Sequence, residues 1–303
     1  MSSAEGSVKV IVIAFLANMG IAVAKFVGAF LSQSTALLAE AIHSVVDSTN
    51  QVLLLIGSKR SKKSPTLKHP MGYGREAFFW SFLVAILLFS LGGIFAIYEG
   101  VHKLHASGEL SAPYIALGIL LASLGLETFS FLTCIKEVKA QNTFGSLWKW
   151  FRHTTASELL IIFTEDLAAL LGLLLATASL LLSWLTGNLI WDAIGSILVG
   201  VVLVIVAIAL AIEIKSLIIG EATATDLRPF LKKRIAELFP EGKLLRLLAL
   251  QIGSDEIMVS YKIHPGGMIE VKQLIDTINQ LEQEVRQQFP AVRWQFVEPD
   301  YEA

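Results

Sequence analysis

The chain has 303 residues, of which 54% are hydrophobic and 17% charged, and its mean hydropathy is +0.64. This composition excludes an ordinary soluble protein of that length and predicts a polytopic membrane protein. The formal net charge of −2 indicates no nucleic-acid partner. Cys134 is the single cysteine, which excludes an internal disulfide, a CxxC redox pair and a thiolate-rich metal cluster, and we interpret it as an inert apolar side chain.

Six apolar stretches are long enough to cross a bilayer core, which takes roughly 20 helical residues. In chain order they cover about 8–31, 35–58, 76–101, 112–135, 155–185 and 188–214. The N-terminal segment MSSAEGSVKV has no basic region and runs into an apolar stretch too long for a signal peptide, so we assign it to the first span. The predicted fold class is therefore an α-helical polytopic membrane protein with six transmembrane helices, formed by residues 1–221.

Basic residues concentrate in two of the predicted connections, 59–75 and 136–152, which carry six and four lysines or arginines. The connections on the opposite side hold almost none besides Lys103. By the positive-inside rule, both termini and the two basic loops are predicted to be cytoplasmic, or to face the matrix in an organelle. The lack of a recognisable presequence and the compact length favour a prokaryotic plasma membrane.

Residues 222–303 are less apolar than the spans, and this change of composition predicts a cytoplasmic domain. TDLRPFLKKRIAELFPEG reads as an amphipathic helix, and LLRLLALQIG and EIMVSYKIHP read as two strands. A helix with apolar spacing follows in MIEVKQLIDTINQLEQEVRQQFP, and AVRWQFVEP alternates like a last strand. The order α-β-β-α-β suggests a small α+β ferredoxin-like domain, in which His264 before Pro265 is expected to be structural.

Ionisable residues inside the spans cost about 2.5–3.5 kcal/mol each at the helix centre, so each requires an explanation. Such residues occur in four of the spans: Lys25, Glu40, His43, Asp47, Glu127, Glu158, Glu165 and Asp166. We expect Glu40 to line the outer approach, and Lys25 to pair with Glu127 across the first and fourth spans.

His43 and Asp47 are four residues apart, which places both side chains on one helical face. An imidazole nitrogen and a carboxylate form half of a site for Zn²⁺ or a similar divalent ion, so a second helix must supply the other ligands. The fifth span offers Glu165 and Asp166, which point about 100° apart, so we expect only one to face His43 and Asp47. The other could carry protons or support a ligand. A hydrogen-bonded pair that only fixes helix packing remains the alternative for His43 and Asp47.

These motifs together resemble the cation diffusion facilitator family, and the resemblance covers nearly the whole chain. The segment NMGIAVAKFVGAFLSQSTALLAEAIHSVVDSTNQ is similar to the first two helices of that family, whose HSxxD motif corresponds to His43 and Asp47. HPMGYGREAFFW resembles the HPxGYGR motif before the third helix, and WDAIGSILVG resembles the start of the sixth. The resemblance implies a zinc/proton antiporter with six spanning helices and a ferredoxin-like cytoplasmic domain that mediates a homodimer.

The fifth helix departs from the HxxxD pattern of the family. Aligning DLAALLGLLLA places Asp166 on the family aspartate and leaves Ile162 at the histidine position, so Glu165 is the candidate replacement ligand. FTEDLAALLG is similar to the branch that includes the animal mitochondrial zinc exporter. The chain has neither a histidine-rich loop between the fourth and fifth helices nor a histidine-rich tail, so we expect no regulation by metal in the tail.

The expected function is export of a divalent cation in exchange for protons by alternating access, with His43, Asp47, Asp166 and Glu165 as metal ligands. Zn²⁺ is the first choice; Mn²⁺ or Fe²⁺ is the alternative because a carboxylate in place of an imidazole hardens the site, and Cd²⁺ or Co²⁺ could also be carried. We expect no enzyme activity and no cofactor; the partners are a second copy, the lipid bilayer, metal ions and protons. A membrane scaffold or sensor and an ion channel are the competing classes.

Overall fold

The computed structural model describes residues 2–104, 112–141, 145–154, 157–222, 227–254, 256–267 and 269–301. The chain divides into two compact units. The first consists of residues 1–58 and 79–215, and the second of residues 59–78 and 216–303. The second unit therefore includes the basic loop between the second and third predicted spans as well as the C-terminal segment.

Long helices make up the first unit. They are α1 (Ser2–Ser32), α2 (Thr35–Ser61), α3 (Glu76–Leu87), a π-helical segment (Leu88–Ile94), α4 (Phe95–Lys103), α5 (Pro113–Gln141), α6 (Leu147–His153), α7 (Ser157–Thr186) and α8 (Ile190–Ile219). The segment from α3 to α4 runs without interruption, so the third predicted span contains a π-helical segment rather than continuous α-helix. Gln33, with a positive φ of 55°, separates α1 from α2.

Four helical segments in the described part of the chain are long and apolar enough to cross a membrane: Glu76–Lys103, Pro113–Lys139, Leu159–Thr186 and Ile190–Ile219. Within α1, a shorter apolar stretch covers Asn18–Ser32. The helix α2 has the length of a span, but its buried polar side chains lower its hydropathy. The helical membrane class is confirmed, while the count of six spans stays a prediction.

Glycines let α8 approach the segment from α3 to α4 closely. A Cβ at Gly100 would lie 2.8 Å from the carbonyl oxygen of Ala193, and a Cβ at Gly200 would lie 2.7 Å from the carbonyl oxygen of Gly93. Helices in membranes associate through such small residues because lipid supplies no hydrophobic driving force between them. Substitution at either glycine would push backbone against backbone.

The second unit contains α9 (Leu227–Leu238), β1 (Lys243–Gly253), β2 (Glu256–His264), α10 (Val271–Gln288) and β3 (Val292–Pro299). The sheet order is β1-β2-β3, with β1 and β2 antiparallel and β2 and β3 parallel. This confirms the predicted order α-β-β-α-β. Tyr261 and Val285 belong to its apolar core, and His264 accepts a hydrogen bond from the Gly266 amide at 3.0 Å through Nδ1, in keeping with a structural role.

Candidate metal site

His43 and Asp47 lie together on α2, as their spacing predicts. His43 Nδ1 and Asp47 Oδ1 are 3.5 Å apart, and the His43 side chain is 1% exposed. Both ring nitrogens of His43 and the Oδ1 atom of Asp47 are buried without a hydrogen-bond partner among the described residues. Buried polar atoms without partners destabilise a fold, so helix packing alone does not explain this pair. A bound cation would give these atoms a partner.

Glu165 on α7 reaches α2. Asn50 donates a hydrogen bond from Nδ2 to Glu165 Oε1 at 2.6 Å, and both side chains are buried. Glu165 also interacts electrostatically with Asp47. The helical period places Ile161, Glu165 and Ala168 on one face of α7, and all three are buried. This face of α7 therefore brings one carboxylate toward the ligand pair of α2.

The side chain of Asp166 contacts α5, whereas that of Glu165 contacts α2. Its Oδ2 atom accepts a hydrogen bond from Ser130 Oγ of α5 at 3.1 Å. Ile162, which the family alignment places at the histidine position, is 40% exposed on the outside of the unit. The adjacent carboxylates thus face different helices, as their 100° offset predicts, and the structure brings Glu165 rather than Asp166 to α2.

Lys25 and Glu40 do not sit where the sequence led us to expect them. Lys25 Nζ donates to Glu40 Oε2 at 3.2 Å and to Ser44 Oγ at 2.8 Å, so its ion pair is with Glu40 of α2 and not with Glu127. Glu40 is fully buried rather than open to the outer approach. The expectation was wrong because α1 and α2 are adjacent in sequence and in space, so the nearest carboxylate for Lys25 comes from the next helix.

Asp192 at the start of α8 is a buried polar residue that sequence reasoning passed over. It accepts hydrogen bonds from Ser34 Oγ at 2.5 Å, from the Thr35 amide at 2.7 Å and from Thr35 Oγ1 at 2.9 Å. Its carboxylate therefore caps the N-terminus of α2, where the free amides favour an anion. Lys103 Nζ lies 3.6 Å from Asp192 Oδ2. The sequence signals were an acidic residue in the first turn of an apolar helix and its place in the motif WDAIGSILVG.

No group of three or more His, Cys, Asp or Glu side chains is spaced to hold a metal ion within the part of the chain that the structure describes. His43 and Asp47 are thus a two-ligand half-site in this conformation. Glu165 is near enough to interact with Asp47 without completing a coordination shell. The arrangement offers one imidazole and two carboxylates, a nitrogen and oxygen donor set suited to Zn²⁺, Mn²⁺ or Fe²⁺.

Residues 11–219 match the family described as the cation efflux transmembrane domain. Metal tolerance protein C4 of Arabidopsis thaliana is 37% identical over 195 residues, which cover 63% of this chain and 42% of that protein. The mitochondrial proton-coupled zinc antiporter SLC30A9 of Homo sapiens is 25% identical over 291 residues, which cover 93% of this chain and 50% of that protein. The magnetosome protein MamB of a Magnetospira strain is 32% identical over 124 residues, covering 40% of this chain and 42% of MamB. The chain spans about half the length of the curated relatives it matches.

Proposed function

Because the chain belongs to the cation efflux family, we propose that this integral multi-pass membrane protein exports Zn²⁺ in exchange for protons. The observation that carries the proposal is the pair His43 and Asp47, whose two ring nitrogens and Oδ1 atom are buried without a hydrogen-bond partner in the part of the chain that the structure describes. The similarity over 93% of the chain to a proton-coupled zinc antiporter supports both the ion and the coupling.

The proposed ligands are His43, Asp47 and Glu165, with Asp166 on the α5 side of α7. Metal binding needs a neutral imidazole and ionised carboxylates, so protons and the metal ion compete for the same atoms. Loading these groups with protons from one side of the membrane releases the ion there, and rocking of the helices exposes the site to each side in turn. Asp166, which accepts a hydrogen bond from Ser130, is our proposed proton carrier next to Glu165.

We also propose six spans, since α1 and α2 have the length of spanning helices and α2 carries the metal ligands. The basic loop 59–75 and the C-terminal unit would then face the cytoplasm, or the matrix in an organelle. We keep the prokaryotic plasma membrane as the proposed location. It differs from that of the SLC30A9 relatives, which are named as mitochondrial. A homodimer through the C-terminal domain is proposed from the family resemblance.

A carboxylate in place of the fifth-helix histidine favours a second candidate cargo, Mn²⁺ or Fe²⁺. Carboxylate oxygens are harder ligands than imidazole and suit these ions better than they suit Zn²⁺. The mechanism would be the same. Nothing in the comparisons favours the scaffold or sensor alternative over transport.

The test is metal uptake into proteoliposomes that contain a pH-sensitive dye, with Zn²⁺, Mn²⁺ and Fe²⁺ as cargo. We expect saturable flux with opposite proton movement, which Asp47→Asn and Glu165→Gln abolish. Glu137→Gln, which neutralises an exposed carboxylate near the end of α5, is the control and should keep wild-type flux. Folded wild-type protein that carries none of the three ions would refute the proposal. Metal flux without proton movement would refute the proposed exchange for protons.

A further inference from the structure

Lys25 is buried inside the membrane unit at 1% exposure, beside the candidate ligands. Its ammonium group donates to Glu40 Oε2 and to Ser44 Oγ, at 3.2 Å and 2.8 Å. A lysine in the middle of a span is expensive and is kept mainly where ions or protons pass. The position of this charge, bonded to two residues of α2 that flank His43 in the sequence, therefore needs a reason beyond helix packing.

The two hydrogen-bond partners of the ammonium group are oxygen atoms. Glu127 of α5 adds a second carboxylate within the range of electrostatic interaction. Glu40 Oε1 is buried and has no hydrogen-bond partner among the described residues. It points at Gly172 of α7, where a Cβ would collide with it. Carboxylate and hydroxyl oxygens, which Glu40 and Ser44 supply to this ammonium group, are the kinds of donor that a hard divalent cation takes.

The contacts between α2 and α7 locate Glu40 along the ion's route. Glu40 lies against Gly172, and Asn50 is hydrogen-bonded to Glu165. Because the later residue of α2 contacts the earlier residue of α7, the two helices run antiparallel. Along α2, Glu40 lies on the far side of His43 and Asp47 from the basic loop 59–75. An ion that leaves the ligand pair in the direction of export meets Glu40 next.

We propose that the place held by the Lys25 ammonium, against Glu40 and Ser44, is a second cation site on the exit side of His43 and Asp47. Lys25 fills it as a tethered cation whenever the transported ion is absent. The direction of travel in this proposal rests on the proposed function. The fixed charge pairs with one oxygen of Glu40 without metal and repels an arriving divalent ion, so that the ion passes the site without staying.

The first experiment counts bound Mn²⁺ by electron paramagnetic resonance on the purified full chain in detergent. Lys25→Met removes the tethered charge, and we expect it to bind one more Mn²⁺ per chain than wild type. The double variant Lys25→Met/Glu40→Gln should return to the wild-type count. Lys103→Met is the matched control, because Lys103 also lies beside a buried carboxylate, which is that of Asp192 and not that of Glu40. An unchanged count in folded Lys25→Met overturns the proposal.

The double variant also tests the proposal if Lys25→Met alone fails to fold. It exchanges the ion pair for neutral side chains of similar size and leaves no uncompensated buried charge. We expect it to bind Zn²⁺ at His43 and Asp47 with wild-type affinity in calorimetry and to carry Zn²⁺ about tenfold more slowly, a barrier change of about 1.4 kcal/mol. Wild-type turnover would show that the pair serves packing only. These two outcomes, slower or unchanged turnover of the double variant, both require a wild-type protein that carries Zn²⁺. If the proposed function is wrong, the wild type itself carries no ion.

Discussion

Among the described residues, some buried polar atoms of α2 have hydrogen-bond partners and others have none. Glu40 Oε2 is bonded to Lys25, while Glu40 Oε1, the ring nitrogens of His43 and Asp47 Oδ1 have no partner among the described residues. Asn50, one turn further, is bonded to Glu165. His43 and Asp47 thus lie between two hydrogen-bonded contacts, although Asn50 Oδ1 is itself without a partner among the described residues. The two contacts hold the helix in place around His43 and Asp47.

Asn50 orients Glu165 and should control metal affinity without touching the ion. Replacing Asn50 by Leu removes the donor and frees the carboxylate to rotate away from α2. We expect Asn50→Leu to weaken metal binding about 10–100-fold, the usual effect of losing a group that orients a ligand. Calorimetry of the purified protein measures it. Ser48→Ala is the control, since Ser48 donates to the Ser44 carbonyl of its own helix. Equal losses in both variants would contradict the prediction.

Gly172 leaves room for the Glu40 carboxylate. In Gly172→Ala the new methyl group collides with Glu40 Oε1, and the expected cost is about 1–3 kcal/mol, as for other overpacked interiors. Thermal unfolding in detergent should show a lower midpoint. Gly125→Ala on α5 meets nothing within 4 Å, so it should keep or raise the midpoint because alanine favours helix. A midpoint for Gly172→Ala at or above that of Gly125→Ala would be the contrary result.

At the scale of helices, the start of α2 depends on a residue of α8. Asp192→Ala would leave the hydroxyl groups of Ser34 and Thr35 and the Thr35 amide without their acceptor. Since a buried donor without a partner costs about 1–3 kcal/mol, we expect a loss of about 3 kcal/mol. Denaturant unfolding of the full chain tests this, and Asp276→Ala on the exposed face of α10 should leave stability unchanged. Equal stability of the two variants would rule out the cap.

Helices and strands could largely be predicted from the sequence, because long apolar runs and alternating patterns dictate them. The π-helical segment Leu88–Ile94 could not, since a π turn leaves apolar composition unchanged. The partner of Lys25 and the choice between Glu165 and Asp166 also escaped prediction. Both depend on how each helix is rotated about its axis, and a helix that is apolar on all sides carries little periodic signal for that rotation.

For the molecule as a whole, the distribution of basic residues predicts which loops share a side of the membrane. In a background with Cys134→Ser, single cysteines at Leu31, Lys62 and Thr186 test it with a membrane-impermeant maleimide. If all six predicted spans cross the membrane, Lys62→Cys is labelled from one side and Leu31→Cys and Thr186→Cys from the other. Labelling of Leu31→Cys and Lys62→Cys from the same side would exclude α2 as a span.

A metal ion bound at the unpartnered nitrogen and oxygen atoms of His43 and Asp47 would also slow the degradation of the protein. On the proposed function, a cation that binds the folded chain alone stabilises it by about 2.7 kcal/mol when its concentration is a hundred times the dissociation constant. When the ion is scarce, more of the chain unfolds and is degraded, and differences of this size change abundance several-fold. The quantity of exporter in the membrane would then follow the supply of metal, with no separate sensor.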